Sequence, residues 1–437
     1  MVREEADLVI ENCRILPMVN SRIIDNGLIS IKGENISYVG SISDAPVLKA
    51  ETVIEGDGKL AMPGLVNCHT HLAMTLFRGL AEDAEVDEWL RNIIWPLEAK
   101  LKPRDVYAGS LLGCLEMIRN GITCFADMYF FESKTAEAVE EVGLRAVLAS
   151  GIIQETDSPK KMTTYNEAVA FARRFQGQAD GRITTSLGPH SVSTCSEELL
   201  KKIREKASEH GFRIQIHLSE SRGSAGRTER TQRLSQTELL EELNFLGGDV
   251  LAAHCIHLSP GDMKILAKRT VKVAHNPIAN LKLASGVAKV RELLDLGISV
   301  GLGTDGAASN NSLDMFETMK MASLLQKLRY RDPTALPSQT ALKLATVHGA
   351  EALGLEKMVG SLEVGKKADI ILVNMKRANL IPLHDLSANL VYSAHGSDVD
   401  TAIVNGRIIM ANRKVQTVNE DEVLKKASKA ARELVDR

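Results

Sequence analysis

The chain has little of what would send it to a membrane, a polyanion or an oxidising compartment. No apolar run approaches the ~20 residues that span a bilayer. The first residues, Met1-Val2-Arg3-Glu4-Glu5-Ala6-Asp7, are acidic and lack the apolar segment of a secretion signal, so the expected location is the cytoplasm. Charge of one sign is missing too. The 53 Lys+Arg against 56 Asp+Glu leave a net charge of −3, which gives no footing for nucleic-acid binding by charge. Cysteine is scarce: Cys13, Cys68, Cys114, Cys124, Cys195 and Cys255 are scattered with no C-x-x-C pair, which predicts reduced, mostly buried thiols. A phosphate-cradling loop is also lacking, because Gly301-Leu302-Gly303 has neither a third glycine nor a following helix start. What remains, 437 residues with 44% hydrophobic and 25% charged, is the composition of a globular protein with a large core.

The pattern changes twice along the chain. Residues 1–62 carry short apolar runs such as Leu8-Val9-Ile10, Gly27-Leu28-Ile29-Ser30-Ile31 and Ile36-Ser37-Tyr38-Val39, with a hairpin turn at Gly33-Glu34-Asn35. Similar runs return over 358–418, at Ala368–Val373 and Thr401–Arg407, so both chain ends are expected to complete one small β-sandwich. Between them, residues 63–357 alternate eight strand-length apolar runs with helix-period stretches. The runs are Leu65–His69, Thr123–Asp127, Ala146–Gly151, Ile183–Gly188, Phe212–His217, Val250–His254, Val271–His275 and Ile298–Asp305. Eight β/α units predict an α/β fold, a (β/α)8 TIM-like barrel, with its reacting groups at the C-terminal strand tips. The segment 419–437 reads as a helix capped by Asn419 with Glu422, its apolar stripe Leu424, Ala427, Ala431 and Leu434.

Histidines gather where a barrel puts its chemistry. His69-Thr70-His71 closes the first run, and residues i and i+2 of an extended chain point the same way, so two imidazoles can reach one ion. His217 ends the fifth run and Asp305 the eighth. Three imidazoles and a carboxylate suit one divalent ion, Zn²⁺ above all, with Fe²⁺, Co²⁺ or Mn²⁺ as chemical alternatives. Such an ion lowers the pKa of a bound water to about 7. The fourth tip reads Leu187-Gly188-Pro189-His190 and offers no lysine to bridge a second metal. Glu220, three residues after His217, and His254 at the sixth tip are the candidate proton carriers, together with Asp305. His275, Asn276, Asn280 and Lys282 are read as shaping the seventh loop, with no chemistry assigned. His257, His348, His384 and His395 are given no site role.

Longer motifs carry a resemblance. Pro63–His71, His217-Leu218-Ser219-Glu220, His275-Asn276-Pro277 with Asn280–Leu283, Gly303-Thr304-Asp305-Gly306 and Gly360–Asp369 together resemble the amidohydrolase superfamily over nearly the whole chain. Within it, His71–Gly79 and Trp95-Pro96-Leu97-Glu98 are similar to the branch that deaminates 5′-methylthioadenosine and S-adenosylhomocysteine, including archaeal 5′-deoxyadenosine deaminases.

That resemblance implies hydrolytic deamination of 5′-modified adenosines, with release of ammonia, by a homo-oligomer (a homotetramer) holding one divalent metal per subunit. It implies metal ligands His69, His71, His217 and Asp305, catalytic Glu220, His254 and Asp305, and substrate contacts from Glu98, His190, Glu220 and Asp305. A carboxylate such as Glu98 can accept both ribose hydroxyls. One departure stands out. Where some members carry arginine at the third strand's end, this chain has Ala149-Ser150-Gly151, which removes a cation for a homocysteine carboxylate and favours smaller, neutral 5′ groups, unless Arg145, Lys160 or Lys161 substitutes. Two rivals stand beside this reading: a related hydrolase of guanine, cytosine or a triazine, and a barrel that has lost catalysis and serves assembly or binding.

Overall fold

A computed structural model describes residues 4–19, 22–80, 82–83, 88–153, 164–221 and 234–437. The first five strands are β1 (Glu4–Ile15), β2 (Ile24–Lys32), β3 (Asn35–Ser41), β4 (Leu48–Glu55) and β5 (Lys59–Pro63). Eight more follow: β6 (Leu65–Thr70), β7 (Ile122–Tyr129), β8 (Arg145–Ile152), β9 (Ile183–Pro189), β10 (Arg213–Leu218), β11 (Val250–His254), β12 (Lys272–His275) and β13 (Val300–Leu302). The last are β14 (Ile370–Asn374), β15 (Val399–Val404), β16 (Arg407–Ala411) and β17 (Lys414–Val415).

Strands β6 to β13 form one sheet in sequence order, every adjacent pair parallel. Every residue of β6, β7 and β8 is buried, which is what a parallel strand covered on both faces requires. The sheet's two edges, β13 and β6, meet, and the Asp305 amide donates to the His69 carbonyl at 2.9 Å across the seam. This is the eight-stranded barrel expected from the alternation, with helices such as Pro103–Arg119 and Glu197–His210 outside it. Helix starts are local chemistry: the Ser196 hydroxyl accepts from the Leu199 amide, and Ser259 and Thr164 close capping boxes.

The two chain ends share one nine-stranded mixed sheet, joined where β5 pairs antiparallel with β14, Pro63 opposite Ile370. The turn at Gly33 is left-handed (φ 59°), a conformation glycine adopts without strain. A buried ion pair fastens this sheet to the barrel: Arg145, first residue of β8, donates to Asp369 at 2.8 and 3.0 Å and to Asn405 at 3.0 Å. Arg145 therefore sits at the end of β8 away from the strand tips and is not a cation for the substrate.

Two sequence expectations shift. The eighth strand is three residues long, so Asp305 lies beyond it in a left-handed conformation (φ 62°) rather than at its tip. The C-terminal helix, Glu420–Val435, is capped by Asn419 as expected, but it buries Val423, Ala427, Ala430 and Leu434 and leaves Leu424 exposed. The stripe is displaced because Val423 competes for the same face, and Arg437 ties the helix end to buried Asp105. All six cysteines are free and buried. Among the described residues no helix is long and apolar enough to cross a membrane.

Candidate metal and nucleoside site

The strand tips converge on one cavity of about 610 Å³ counting its open mouth, a size common for small-molecule sites. His71, Glu98, His190, His217, Glu220, His254 and Asp305 line it, and His69, 1% exposed, lies beneath. All eight residues singled out in the sequence are thus brought together. His348 and His384 line separate grooves.

Donor atoms of His69, His71 and His217 lie within 4.8 Å of one another, and so do those of His69, His254 and Asp305. Hydrogen bonds fix which nitrogens face inward. His71 Nδ1 meets the Met128 carbonyl at 2.7 Å, and His217 Nδ1 meets the His190 carbonyl at 2.8 Å. A carbonyl only accepts, so both Nδ1 atoms carry protons, and in the neutral ring each Nε2 presents its lone pair to the cavity. Those two Nε2 atoms stand 3.3 Å apart. With both rings in the neutral form neither donates to the other, and a shared cation satisfies both lone pairs. His69 Nε2 and Asp305 Oδ1 are buried, have no hydrogen-bond partner among the described residues, and stand 3.6 Å apart; His71 Nε2 is 3.3 Å from the same oxygen. Three imidazoles and one carboxylate with converging donor atoms, those of His69 and Asp305 buried and without partners among the described residues, fit one divalent ion.

Protonation agrees with that donor set. Burial, then the neighbouring imidazoles, holds His69 and His217 well below the usual histidine range, keeping them neutral ligands. Burial opposes ionisation of Asp305, but His254, His71, His69 and the Ser309 hydroxyl outweigh it and bring its pKa down to about 2. Ser309 Oγ donates to Asp305 Oδ2 at 2.8 Å, which leaves Oδ1 facing the imidazoles. Burial works against protonated His254 as well, yet Glu220, Asp305 and the Asn280 hydrogen bond raise its pKa. His254 Nε2 is 3.8 Å from Glu220 Oε1.

The side of the cavity around Glu98 is largely apolar. Met74, Trp89, Leu90, Ile94, Trp95 and Phe130 line it, with Glu98 95% buried among them. Trp89–Ile94 forms a π-helical turn, an uncommon wide turn often found at functional sites, and it hands directly to the short helix carrying Glu98. His190 has its Nδ1 near the hydroxyls of Thr194 (3.1 Å) and Ser191 (3.3 Å), and burial first, then His71 and His254, lowers its pKa to about 4. It enters the pocket as a neutral ring.

At the third strand's end the cavity is lined by Gly151 and not by Ser150. Gly151 and Ile153 line the cavity, and neighbours along a strand face opposite ways, so buried Ser150 points to the helix layer. Lys160 and Lys161 lie outside the described residues. Sequence reasoning also missed the carbonyls of Met128 and His190, which orient the histidines, because a main-chain acceptor leaves no residue-type signal. Ser309, four residues after Asp305, was findable by that spacing alone.

The chain is similar to several known proteins. The chain is 50% identical over 433 residues to a 5′-deoxyadenosine deaminase of Methanosarcina barkeri, covering 99% of each chain. It is 46% identical over 430 residues to a 5-methylthioadenosine/S-adenosylhomocysteine deaminase of Desulforudis audaxviator, covering 98% of this chain and 99% of that one. Its fold matches the zinc-bound crystal structure of an adenosine deaminase from Xanthomonas campestris, with a TM-score of 0.95, 30% identity and complete coverage of both chains. Residues 60–409 match the pattern shared by one family, and the chain belongs to it: the amidohydrolase family.

Proposed function

We propose that the protein is a metal-dependent aminohydrolase that converts 5′-modified adenosines and water to the corresponding inosines and ammonia. The observation that carries the reading is the pair of His71 and His217 Nε2 lone pairs facing each other at 3.3 Å, in the floor of a cavity that also presents Glu98 and His190. The first supplies a cation's place, the second a nucleoside's. In this reading His69, His71, His217 and Asp305 hold the ion, Zn²⁺ first among candidates, since the relative of similar fold from Xanthomonas campestris was solved with zinc. A bound divalent cation supplies Lewis acidity that makes water nucleophilic near neutral pH.

The chain's own residues do the rest. Glu98 accepts the ribose hydroxyls and His190 hydrogen-bonds the nucleoside, which orients C6 of the purine over the floor. Oxygen from water bonds to C6 while the Glu220 carboxyl delivers a proton to the adjacent ring nitrogen, so the ring loses its aromatic resistance to addition. Asp305 and His254 take the water proton and pass it to the amino group. The C6–N bond then breaks, ammonia leaves, and the proton remaining on the C6 oxygen returns to Glu220 as the inosine carbonyl forms. Among the described residues lining the cavity there is no lysine or arginine, while Glu98, Glu220 and Asp305 are acidic, which favours a neutral 5′ group such as deoxy or methylthio over a homocysteine carboxylate. The reading includes a homo-oligomer, a homotetramer in the family's manner, which light scattering on the purified chain tests. Ammonia release from a panel of adenosines, guanine, cytosine and a triazine tests the reaction; activity confined to a non-nucleoside would overturn the substrate, and none on any would overturn the enzyme.

A further inference from the structure

His254 is held differently from His71 and His217. His71 and His217 rest their Nδ1 atoms on main-chain carbonyls, whereas His254 Nδ1 meets a side chain, the Asn280 Oδ1, at 2.9 Å. The reason is local. His254 and Cys255 are both left-handed (φ 72° and 50°), and this double turn at the tip of β11 aims the ring at the helix Pro277–Lys282 that follows β12. That helix sets Asn280 rigidly: its amide donates to the Asn276 carbonyl and its own carbonyl accepts from Ser285.

Packing does not explain an amide there. Asn280 is 2% exposed, and among the described residues its Nδ2 meets no acceptor. A leucine of similar volume would fill the space without burying an unsatisfied N–H pair. The oxygen is the functional end. It only accepts, so His254 Nδ1 keeps its proton and the ring exchanges protons through Nε2, the atom 3.8 Å from Glu220.

We propose that Asn280 is a positioning residue that locks His254 in the Nδ1–H form, leaving Nε2 as its proton-exchanging atom. The role rests on His254 being a proton carrier in the proposed reaction. The reversed amide, Nδ2 donating to Nδ1, would instead put the neutral ring's proton on Nε2.

The test uses zinc-loaded full-length protein with 15N-labelled histidine. In the wild type, two-bond 15N–1H spectra are expected to give the Nδ1–H pattern for His254, assigned by its loss in His254→Gln. Asn280→Leu is expected to keep the zinc, to mix the two tautomer patterns, and to lower kcat about 10²-fold with KM within about twofold. Asn280→Asp, which can accept but never donate, is expected to restore the single pattern and recover kcat to within about tenfold of wild type. Asn280→Ala takes the leucine variant's place if that one does not fold. An Nε2–H pattern in the wild type overturns the proposal, as does an unchanged spectrum in Asn280→Leu or an aspartate that fails to rescue. The spectra stand without turnover, so a wild type with the Nδ1–H pattern and no deaminase activity would contradict the proposed function and leave the lock intact.

Discussion

At the level of single residues, the account turns on atoms that face one another without a partner. Replacing His69, His71, His217 or Asp305 by alanine opens the donor set, so each variant is expected to lose metal and activity together while the barrel persists. Metal content by mass spectrometry alongside circular dichroism checks this; wild-type turnover in a variant shown to be metal-free contradicts it. In the proposed reaction Glu220 acts on protons and not on the ion, so Glu220→Gln is expected to keep the metal and lose roughly 10² in kcat, because glutamine is nearly isosteric but cannot deliver a proton. Unchanged kcat with unchanged metal would reduce Glu220 to a loop carboxylate. These residues were legible because residue type and spacing carry them: H-x-H, and a glutamate three after a histidine. Asn280 was noticed in its motif but not given chemistry, since its contact with His254 joins positions 26 apart across two strand tips.

Elements place those residues, and here the strand ends matter more than the strands. The eight barrel strands were readable as apolar runs because full burial on both faces leaves an unbroken hydrophobic signal. Their ends were readable to within two residues except the eighth, where the strand stops at Leu302; the left-handed turns at Ser219, His254 and Asp305 that aim the side chains are backbone geometry that sequence pattern does not encode. Gly303 shows the constraint most sharply. A Cβ there would collide with the Asn276 amide oxygen and stand 3.0 Å from the His69 main-chain nitrogen. Gly303→Ala is therefore expected to cost about 1–3 kcal/mol in denaturant unfolding and to weaken metal retention, because the push falls on a ligand's backbone. A variant as stable and as metal-rich as wild type would contradict this close approach.

In the proposed reaction the end of β8 bears on substrate choice. An added Cβ at Gly151 meets nothing nearer than the Tyr129 carbonyl at 3.6 Å, so a side chain there can enter the cavity. Wild-type kcat/KM for 5′-deoxyadenosine or 5′-methylthioadenosine is expected to equal or exceed that for S-adenosylhomocysteine, and Gly151→Arg to shift the ratio toward the last. Arginine at Ser150, facing the helices, is expected to destabilise instead. A wild-type preference above about tenfold for S-adenosylhomocysteine, or 1.4 kcal/mol, would mean that another residue supplies the cation.

For the whole molecule, the sequence told that both chain ends are β-rich but not how they are fastened to the barrel. The answer is the Arg145–Asp369 pair, 224 residues apart and almost wholly buried, with Asn405 completing it. Removing one partner strands a charge, so Arg145→Ala is expected to lower unfolding stability by about 3–5 kcal/mol while metal content in the native state is unchanged. A loss below about 1 kcal/mol would mean that the two parts are held mainly by apolar packing.

The central claim is that one divalent ion and one adenosine share this cavity and that water replaces the amino group. Purified protein of known metal content is mixed with 5′-deoxyadenosine while adenine absorbance and free ammonia are followed, before chelation, after it, and after zinc is restored. One ammonia per nucleoside consumed, abolished by the chelator and recovered with zinc, is the predicted result. Protein carrying one metal per chain that releases no ammonia from any 5′-modified adenosine would contradict the account.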